Sequence, residues 1–257
     1  MARFDKLEIN TQSAAPRPAQ EQELRRDEPS CLDQAVEQRR CGHYENSLRL
    51  YSRALEDDKS LVAGWLGQVQ MLIQLDEFVE AELWSRKALE LFPGNGDLMA
   101  GRAQALVRMG DVQQAHVLTD GSLKQTGQSA YRWMVRGELM VVGRQETDRH
   151  CFDKAVQIDR DWLVPLEIAL VYLHHGLPNK ALDRVRLAVE LAPDRYHTWF
   201  LQGQVQGELG LEPAARKSWQ HCLELCPRHE DAIRELAALE QGGWSLGRLY
   251  RRLFGRS

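Results

Sequence analysis

A short stretch near the C-terminal end holds the residues whose types and spacing could do chemistry. His221, Cys222, Cys226 and His229 offer thiol and imidazole groups, which are donors that zinc prefers. The two cysteines are four residues apart, so a helix would place both thiols on one face. Cys222, however, falls where a repeating frame places small buried residues, and Cys226 directly precedes the helix-ending Pro227. The sequence therefore favours two packed, apolar cysteines and predicts no metal and no cofactor.

Motifs that would indicate catalysis are missing from the sequence. It contains no Gly-rich phosphate loop, no nucleophile elbow and no His-Glu-x-x-His pattern. His174 and His175 precede Gly176 at a predicted helix C-terminus. The helix dipole favours positive charge there, which is a sufficient reason for the two histidines. The sequence therefore predicts a protein that is not an enzyme and has no catalytic residues. The remaining alternative that involves catalysis is a metal-dependent or regulatory enzyme subunit.

Composition and charge narrow the class further. The 257 residues are 43% hydrophobic and 27% charged, so the chain has enough apolar side chains to bury a core. The formal net charge of -4 gives no general reason to expect nucleic acid, and five scattered cysteines do not suggest a disulfide framework. No stretch approaches the roughly 20 apolar residues that a membrane-spanning helix requires. The predicted location is the cytoplasm, as for a bacterial cytosolic protein.

One short frame returns six times along the chain. Candidate turn residues recur every 33 or 34 residues, at Gly42, Asp76, Gly110, Gly143, Gly176 and Gly210. A series of small residues keeps the same steps, at Ala54, Ala88, Ser122, Ala155, Ala188 and Cys222. A period of this size predicts a solenoid of stacked helical hairpins, because each hairpin must bury one face against its neighbours.

Three further sets of residues complete this frame. Aromatic residues occupy one place in three first helices, at Trp65, Trp133 and Trp199. Small residues take the place four positions later in five first helices, at Ala35, Ala103, Gly137, Ala169 and Gly203. Prolines close three second helices, at Pro93, Pro193 and Pro227. The frame resembles the tetratricopeptide repeat family from about Glu28 to His229. The resemblance implies an all-α, right-handed superhelical solenoid of about six tetratricopeptide-like helical hairpins plus a C-terminal capping helix.

The predicted organisation places the hairpins between two different ends. Residues 1–27 are rich in Gln, Ala, Pro and charge and are predicted to form a disordered N-terminal arm. The hairpins are predicted at residues 28–61, 62–95, 96–129, 130–161, 162–195 and 196–229, followed by a capping helix at residues 230–241. The fourth hairpin is two residues short and has Asp148 where the others have a small residue. Less regular packing is expected there.

Residues 242–257 are predicted to form a basic amphipathic tail with an apolar side and an arginine side. Ten residues are expected to attach it to a surface: Trp244, Leu246, Arg248, Leu249, Tyr250, Arg251, Arg252, Leu253, Phe254 and Arg256. Three surfaces remain open, namely the capping helix of the same molecule or a second copy, a protein partner, and an anionic membrane. Nucleic acid is not expected, because four arginines alone would bind phosphates weakly at physiological salt.

The resemblance also implies where a partner would bind. In this family the first helix of each pair lines the concave side, and ligand contacts come from residues beside the aromatic and small places. Carried onto this sequence, the predicted groove residues are Arg39, Gln70, Ile73, Gln104, Arg108, Tyr131, Met134, Glu138, Leu163, Leu166, Leu170, Leu173, His197, Phe200 and Gln204. This lining is polar toward the N-terminal end and apolar in the middle, which suits an amphipathic helix or an extended peptide. The alternative for each leucine is that it fills the interior between neighbouring first helices.

These expectations together favour a non-catalytic adaptor or assembly factor. Its concave groove would hold a protein segment, and its tail would provide a second attachment point. The runner-up is a peripheral membrane scaffold that is anchored mainly by the basic tail.

Overall fold

The computed structural model describes residues 30–240, and this part of the chain contains thirteen helices and no strand. The all-α prediction is confirmed. The predicted arm (1–27) and the predicted tail (242–257) lie outside the described residues. The helices are α1 (Cys31–Arg40), α2 (Tyr44–Asp57), α3 (Val62–Gln74), α4 (Phe78–Leu91), α5 (Gly96–Met109), α6 (Val112–Lys124), α7 (Ala130–Val142), α8 (Asp148–Ile158), α9 (Leu163–His174), α10 (Pro178–Leu191), α11 (Tyr196–Glu208), α12 (Glu212–Leu225) and α13 (Glu230–Glu240).

Consecutive helices pair as six hairpins, from α1 with α2 to α11 with α12, and α13 packs on α12. Each hairpin turn contains one residue with left-handed φ: Gly42, Asp76, Gly110, Arg144, Gly176 and Gly210. In the fourth hairpin this residue is Arg144 (φ 52°), and the predicted turn residue Gly143 has a φ of -72°. The left-handed residues are thus 34 apart up to Arg144 and 32 apart from Arg144 to Gly176. Both missing residues therefore follow this turn.

Asp148 lies in the shortened part of the fourth hairpin. Its side chain is buried, and Oδ2 accepts hydrogen bonds from Tyr172 Oη (2.9 Å) and Lys180 Nζ (2.7 Å). These bonds connect α8 to both helices of the next hairpin. Oδ1 has no hydrogen-bond partner within residues 30–240. A charged residue at a place that holds small residues elsewhere thus cross-links the irregular hairpin to its neighbour.

Matched small and large residues fill the core between paired helices. The small place of a first helix is followed 15 or 16 residues later by a buried residue of the second helix. In two hairpins this pair is a glycine and an aromatic ring. A Cβ on Gly203 would lie 2.3 Å from Trp219 Nε1, and a Cβ on Gly137 would lie 2.5 Å from Phe152 Cε1. The absence of a side chain on one helix therefore makes room for the largest side chains on the other.

Candidate functional site

The inner face of the solenoid, where the sequence predicts partner binding, is largely covered. Nine of the fifteen predicted groove residues are buried: Gln70, Ile73, Gln104, Tyr131, Met134, Glu138, Leu166, His197 and Phe200. The other six are half-buried: Arg39, Arg108, Leu163, Leu170, Leu173 and Gln204. Leu166 is 0% exposed, as the space-filling alternative requires. The structure therefore covers most of the predicted groove residues.

The first hairpin contacts the fifth and sixth hairpins, which closes the solenoid into a ring. We use the name closing contact for residues 37–44 together with residues 161–167 and 195–197. Three ion pairs bridge it: Arg39 pairs with Glu167, Arg40 Nη2 lies 2.9 Å from Asp161 Oδ2, and Arg195 Nη1 lies 2.8 Å from Glu37 Oε1. The Arg40 guanidinium also stacks over Trp162, 4.9 Å from the ring centre. These residues are far apart in sequence and resemble ordinary surface charges, so sequence reasoning missed them.

The turn between α1 and α2 packs tightly against α11 in the closing contact. A Cβ on Gly42 would lie only 2.3 Å from His197 Cε1, so the imidazole ring fills the space beside the glycine. The Tyr44 ring meets His197 edge-on, with 3.5 Å between Tyr44 Oη and His197 Nε2. Tyr196 Oη donates a hydrogen bond to the Cys41 carbonyl oxygen at 3.4 Å. His197 is one of the predicted groove residues, and the structure places it against the first hairpin.

Arg39 crosses the ring from α1 to α9. Its guanidinium donates to Glu167 Oε1 from both Nε (2.7 Å) and Nη2, and Nη1 donates to Gln70 Oε1 at 2.6 Å. Burial lowers the pKa of Arg39, but the charge and hydrogen bonds of Glu167, together with the nearby Tyr51 and Tyr131, hold the pKa above its ordinary value. Arg39 and Gln70, both predicted groove residues, are thus brought together, and their partner Glu167 was not predicted.

A second polar network surrounds Glu138, whose side chain is 0% exposed. Its carboxylate accepts hydrogen bonds from Gln104 Nε2 (2.7 Å) and Arg108 Nε, and His175 Nε2 lies 2.9 Å away. Tyr131 Oη donates to Gln104 Oε1 at 2.7 Å. Burial would raise the pKa of Glu138, but Arg108 and His175 hold it at about 2. Four predicted groove residues thus meet around a charged carboxylate. His175, expected only to complement a helix dipole, joins them.

A cavity of about 500 Å³ opens where the two sides of the ring meet. Arg39 and Arg40 of α1 and Gln70 of α3 line one side, and residues of α7 and α9 line the other. Five of the predicted groove residues line it: Arg39, Gln70, Tyr131, Met134 and Leu163. Leu66, Ile158 and Val164 add apolar surface, and Ser129, Asp159, Asp161 and Glu167 add polar groups. The lining is thus about half polar and half apolar, and the volume lies in the range of ligand pockets.

The cysteine and histidine cluster near the C-terminal end separates into packing roles. Cys222 is buried between α12 and its neighbours, and burial raises the pKa of its thiol to about 12. His221 Nδ1 lies 2.7 Å from Glu224 Oε2. His229 Nδ1 accepts a hydrogen bond from the Ala232 amide at 3.2 Å, at the start of α13. In the described range, no group of three or more His, Cys, Asp or Glu side chains is arranged to hold a metal ion.

The fold and the covered inner face define the class: an all-helical repeat solenoid of the tetratricopeptide type. A thermophilic tetratricopeptide repeat protein from Thermus thermophilus shares 18% identity and a TM-score of 0.53, covering 70% of this chain and 97% of that chain. A tetratricopeptide repeat protein from Parabacteroides merdae shares 16% identity and a TM-score of 0.50, covering 84% and 88%. The resemblance drawn from the sequence is therefore confirmed at the level of the fold.

Two further similarities extend the comparison. A monomeric mutant of IFIT1, solved with Gppp-AAAA, has a TM-score of 0.55 at 18% identity, covering 83% of this chain and 52% of that chain. Among curated proteins, the human protein O-mannosyl-transferase TMTC1 is 27% identical over 213 residues. The match takes in 77% of this chain and 23% of the length of that relative. No protein-family model matches the chain. None of the helices in residues 30–240 is long and apolar enough to cross a membrane.

Acidification is expected to destabilise the fold through His197. Burial, with smaller contributions from His229 and His43, lowers the pKa of His197 to about 3, so the folded protein keeps this ring neutral. The unfolded chain takes up a proton near pH 6.5. The contribution of His197 is therefore fully present above pH 6.5 and is lost as the pH falls toward 3. Between pH 7.5 and 5 we expect a loss of about 2 kcal/mol in the free energy of unfolding, measured by urea denaturation.

A matched pair of variants assigns this pH dependence. His197→Gln should flatten the change in unfolding free energy between pH 7.5 and 5, because the variant has no ring to protonate. His150→Gln, at an exposed position, should keep the wild-type pH dependence. Equal pH dependence in all three proteins would contradict the assignment.

Proposed function

We propose that the chain is a non-catalytic protein-interaction scaffold, an adaptor or assembly factor, that binds a short peptide segment in the inner cavity. The observation that carries this proposal is that five of the predicted groove residues line one cavity of about 500 Å³. Its volume lies in the range of specific ligand pockets. An α-helix with its side chains is about 10–12 Å wide, so the covered inner face suits an extended segment better than a helix.

The charge arrangement in the cavity supports binding over bond making. Arg39 pairs with Glu167, and Arg40 pairs with Asp161, so the charged side chains at the mouth neutralise one another. Apolar side chains from α3, α7 and α9 then supply the surface that a partner would cover. The transferase in the name of the human relative describes that protein, which is more than four times longer than the matched part. A cytoplasmic location is part of this proposal.

Charge in the cavity should abolish peptide binding. Leu66 and Leu163 line the cavity and are only half-buried, so arginines there can reach water without breaking the core. The Leu66→Arg/Leu163→Arg variant should select no peptides from a random library displayed on phage. Alternatively, it should bind the peptides that the wild type selects at least about tenfold more weakly, which is a loss of about 1.4 kcal/mol in binding free energy. Fluorescence polarisation with a synthetic selected peptide measures the affinity.

The matched control carries the same charge elsewhere. Val79→Arg/Val117→Arg changes two valines that are 64% and 72% exposed. It should bind the selected peptides like the wild type. Circular dichroism must show equal helix content in all three proteins. Equal affinity of the cavity variant and the control would refute the cavity as the binding site.

The second candidate, a peripheral membrane scaffold, is favoured by one sequence observation. Residues 242–257 contain four arginines, several aromatic and aliphatic residues, and no acidic residue. Flotation with anionic liposomes, comparing the full chain with a chain ending at residue 243, distinguishes the two proposals. Co-flotation that requires residues 244–257 would support membrane attachment, and absence of the full chain from the liposome fraction would exclude it.

A further inference from the structure

The first hairpin has two interfaces of different chemistry. Toward the second hairpin it packs through buried apolar residues, with Tyr51 against Gly67 and Leu55 against Gly64. Toward the fifth and sixth hairpins, the closing contact consists mainly of ion pairs, an edge-on aromatic contact and a long hydrogen bond. Polar contacts of this kind are typical of interfaces that open and close, because their groups also find partners in water.

The cavity depends on that polar interface. Its lining includes Arg39 and Arg40 from the first hairpin, and Asp161 and Glu167 from the fifth hairpin face them. The ion pairs of Arg39 with Glu167 and of Arg40 with Asp161 join the same two walls. If the first hairpin moved away, one wall of the cavity would go with it.

We propose that closure of the ring assembles the peptide site, and that release of the first hairpin from the fifth and sixth hairpins switches binding off. This inference rests on the proposed function. A peptide that touches both walls stabilises the closed ring, and by linkage the closed ring binds that peptide more tightly than the open one. Residues of the closing contact outside the cavity, such as Gly42 and Arg195, therefore control affinity without touching the partner.

A native thiol reports on closure directly. Cys41 lies half-buried in the α1–α2 turn beside Tyr196, and this burial raises the pKa of its thiol, which slows its reaction in the closed ring. A saturating selected peptide should slow the alkylation of Cys41 by iodoacetamide, by about tenfold or more when its concentration far exceeds the dissociation constant. Mass mapping of the labelled peptides distinguishes Cys41 from Cys31, which lies outside the closing contact and should react at an unchanged rate.

Two glycines give a matched test of the closing contact. Gly42→Ala and Gly110→Ala impose the same strain, because both turn residues have left-handed φ (77° and 88°). Only the Gly42 variant also pushes on a neighbour, since a Cβ on Gly110 meets nothing within 4 Å. Small-angle X-ray scattering should show a larger radius of gyration for Gly42→Ala than for Gly110→Ala. The affinity for the selected peptide should fall only in the Gly42 variant.

An ion-pair reversal provides a second route if Gly42→Ala fails to fold. Arg195 and Glu37 have side chains that are 40% and 51% exposed, so changes there should leave the core intact. Arg195→Glu places two carboxylates together and should expand the ring and weaken peptide binding. Adding Glu37→Arg restores an opposite pair and should restore both the radius of gyration and the affinity.

The outcomes separate the inference from the function on which it rests. Unchanged Cys41 alkylation with saturating peptide would overturn the inference, as would an unchanged radius of gyration in both opening variants. An expanded ring that still binds the peptide at wild-type affinity would overturn it too, while leaving the cavity proposal intact. A wild-type protein that selects no peptide would instead refute the proposed function itself.

Discussion

Replacing Glu138 by leucine is expected to lower the free energy of unfolding by about 3–5 kcal/mol. The substitution removes the only carboxylate that contacts the Arg108 guanidinium in the described structure, and the Arg108 side chain is 5% exposed. A buried cation without a counter-charge costs far more than the leucine gains by burial. Gln104 Nε2 and His175 Nε2 lose a partner as well. Urea denaturation at pH 7.5, followed by circular dichroism, measures the loss.

Two further variants test the reason for this loss. Glu190→Gln, on the exposed side of α10, should change stability by less than about 0.5 kcal/mol. The double variant Glu138→Leu/Arg108→Leu should recover part of the stability, because removing both charges leaves no unpaired ion. If the double variant is less stable than Glu138→Leu by the full cost of a second core change, the two charges are independent and the explanation fails.

The repeat frame was predictable because it is a local property. The turn residues and small positions that recur about every 34 residues each act within one hairpin. They can therefore be recognised from residues that are close together in the sequence. The turn of the fourth hairpin lies one residue away from the position that the pattern predicts. Gly143 matches the pattern of letters, yet Arg144 takes the left-handed φ. The packing of the shortened segment after the turn fixes that position. The sequence pattern does not specify this packing.

The covered inner face was not predictable from the same pattern. The overall curvature is a sum of small rotations between successive hairpins, and no single residue determines it. The ion pairs that complete the ring join residues 121, 128 and 158 positions apart. In the sequence, nothing distinguishes Arg40, Glu37 and Arg195 from solvated surface charges. Only the curvature of the solenoid brings them close to their partners. Five of the fifteen predicted groove residues line one cavity, but the closed shape of the ring was not predictable from the sequence.

Closure also changes how the buried charges should be understood. In an open groove, Arg39 and Glu138 would be contact residues for a partner. In the ring, Arg39 bonds Glu167 and Gln70, and Glu138 bonds Arg108 and Gln104. Networks that are satisfied internally hold helices of different hairpins at fixed distances. The Arg39 network joins two walls of the cavity, whereas Glu138 lies outside the cavity lining.

Replacing Trp219 by alanine is expected to cost about 3–5 kcal/mol of unfolding free energy, more than the same change at the repeat-defining Trp199. Trp219 is 0% exposed, fills the space beside Gly203, and donates from Nε1 to the Phe200 carbonyl oxygen at 3.2 Å. Trp199 is only half-buried, although its Nε1 also donates to a carbonyl oxygen, that of Pro193, at 2.8 Å.

The comparison distinguishes packing from the repeat pattern as the source of stability. Both tryptophans belong to the sixth hairpin and both lose an indole hydrogen bond, so the difference between Trp219→Ala and Trp199→Ala isolates the cavity left in the core. Guanidinium denaturation monitored at the helix signal gives both values under one condition. A larger loss of unfolding free energy for Trp199→Ala would mean that the repeat-defining aromatic residue stabilises the hairpin more than Trp219 does. The pairing of a glycine with a large ring would then be incidental. We expect the opposite order, because alanine at position 219 leaves a void that Gly203 has no side chain to fill.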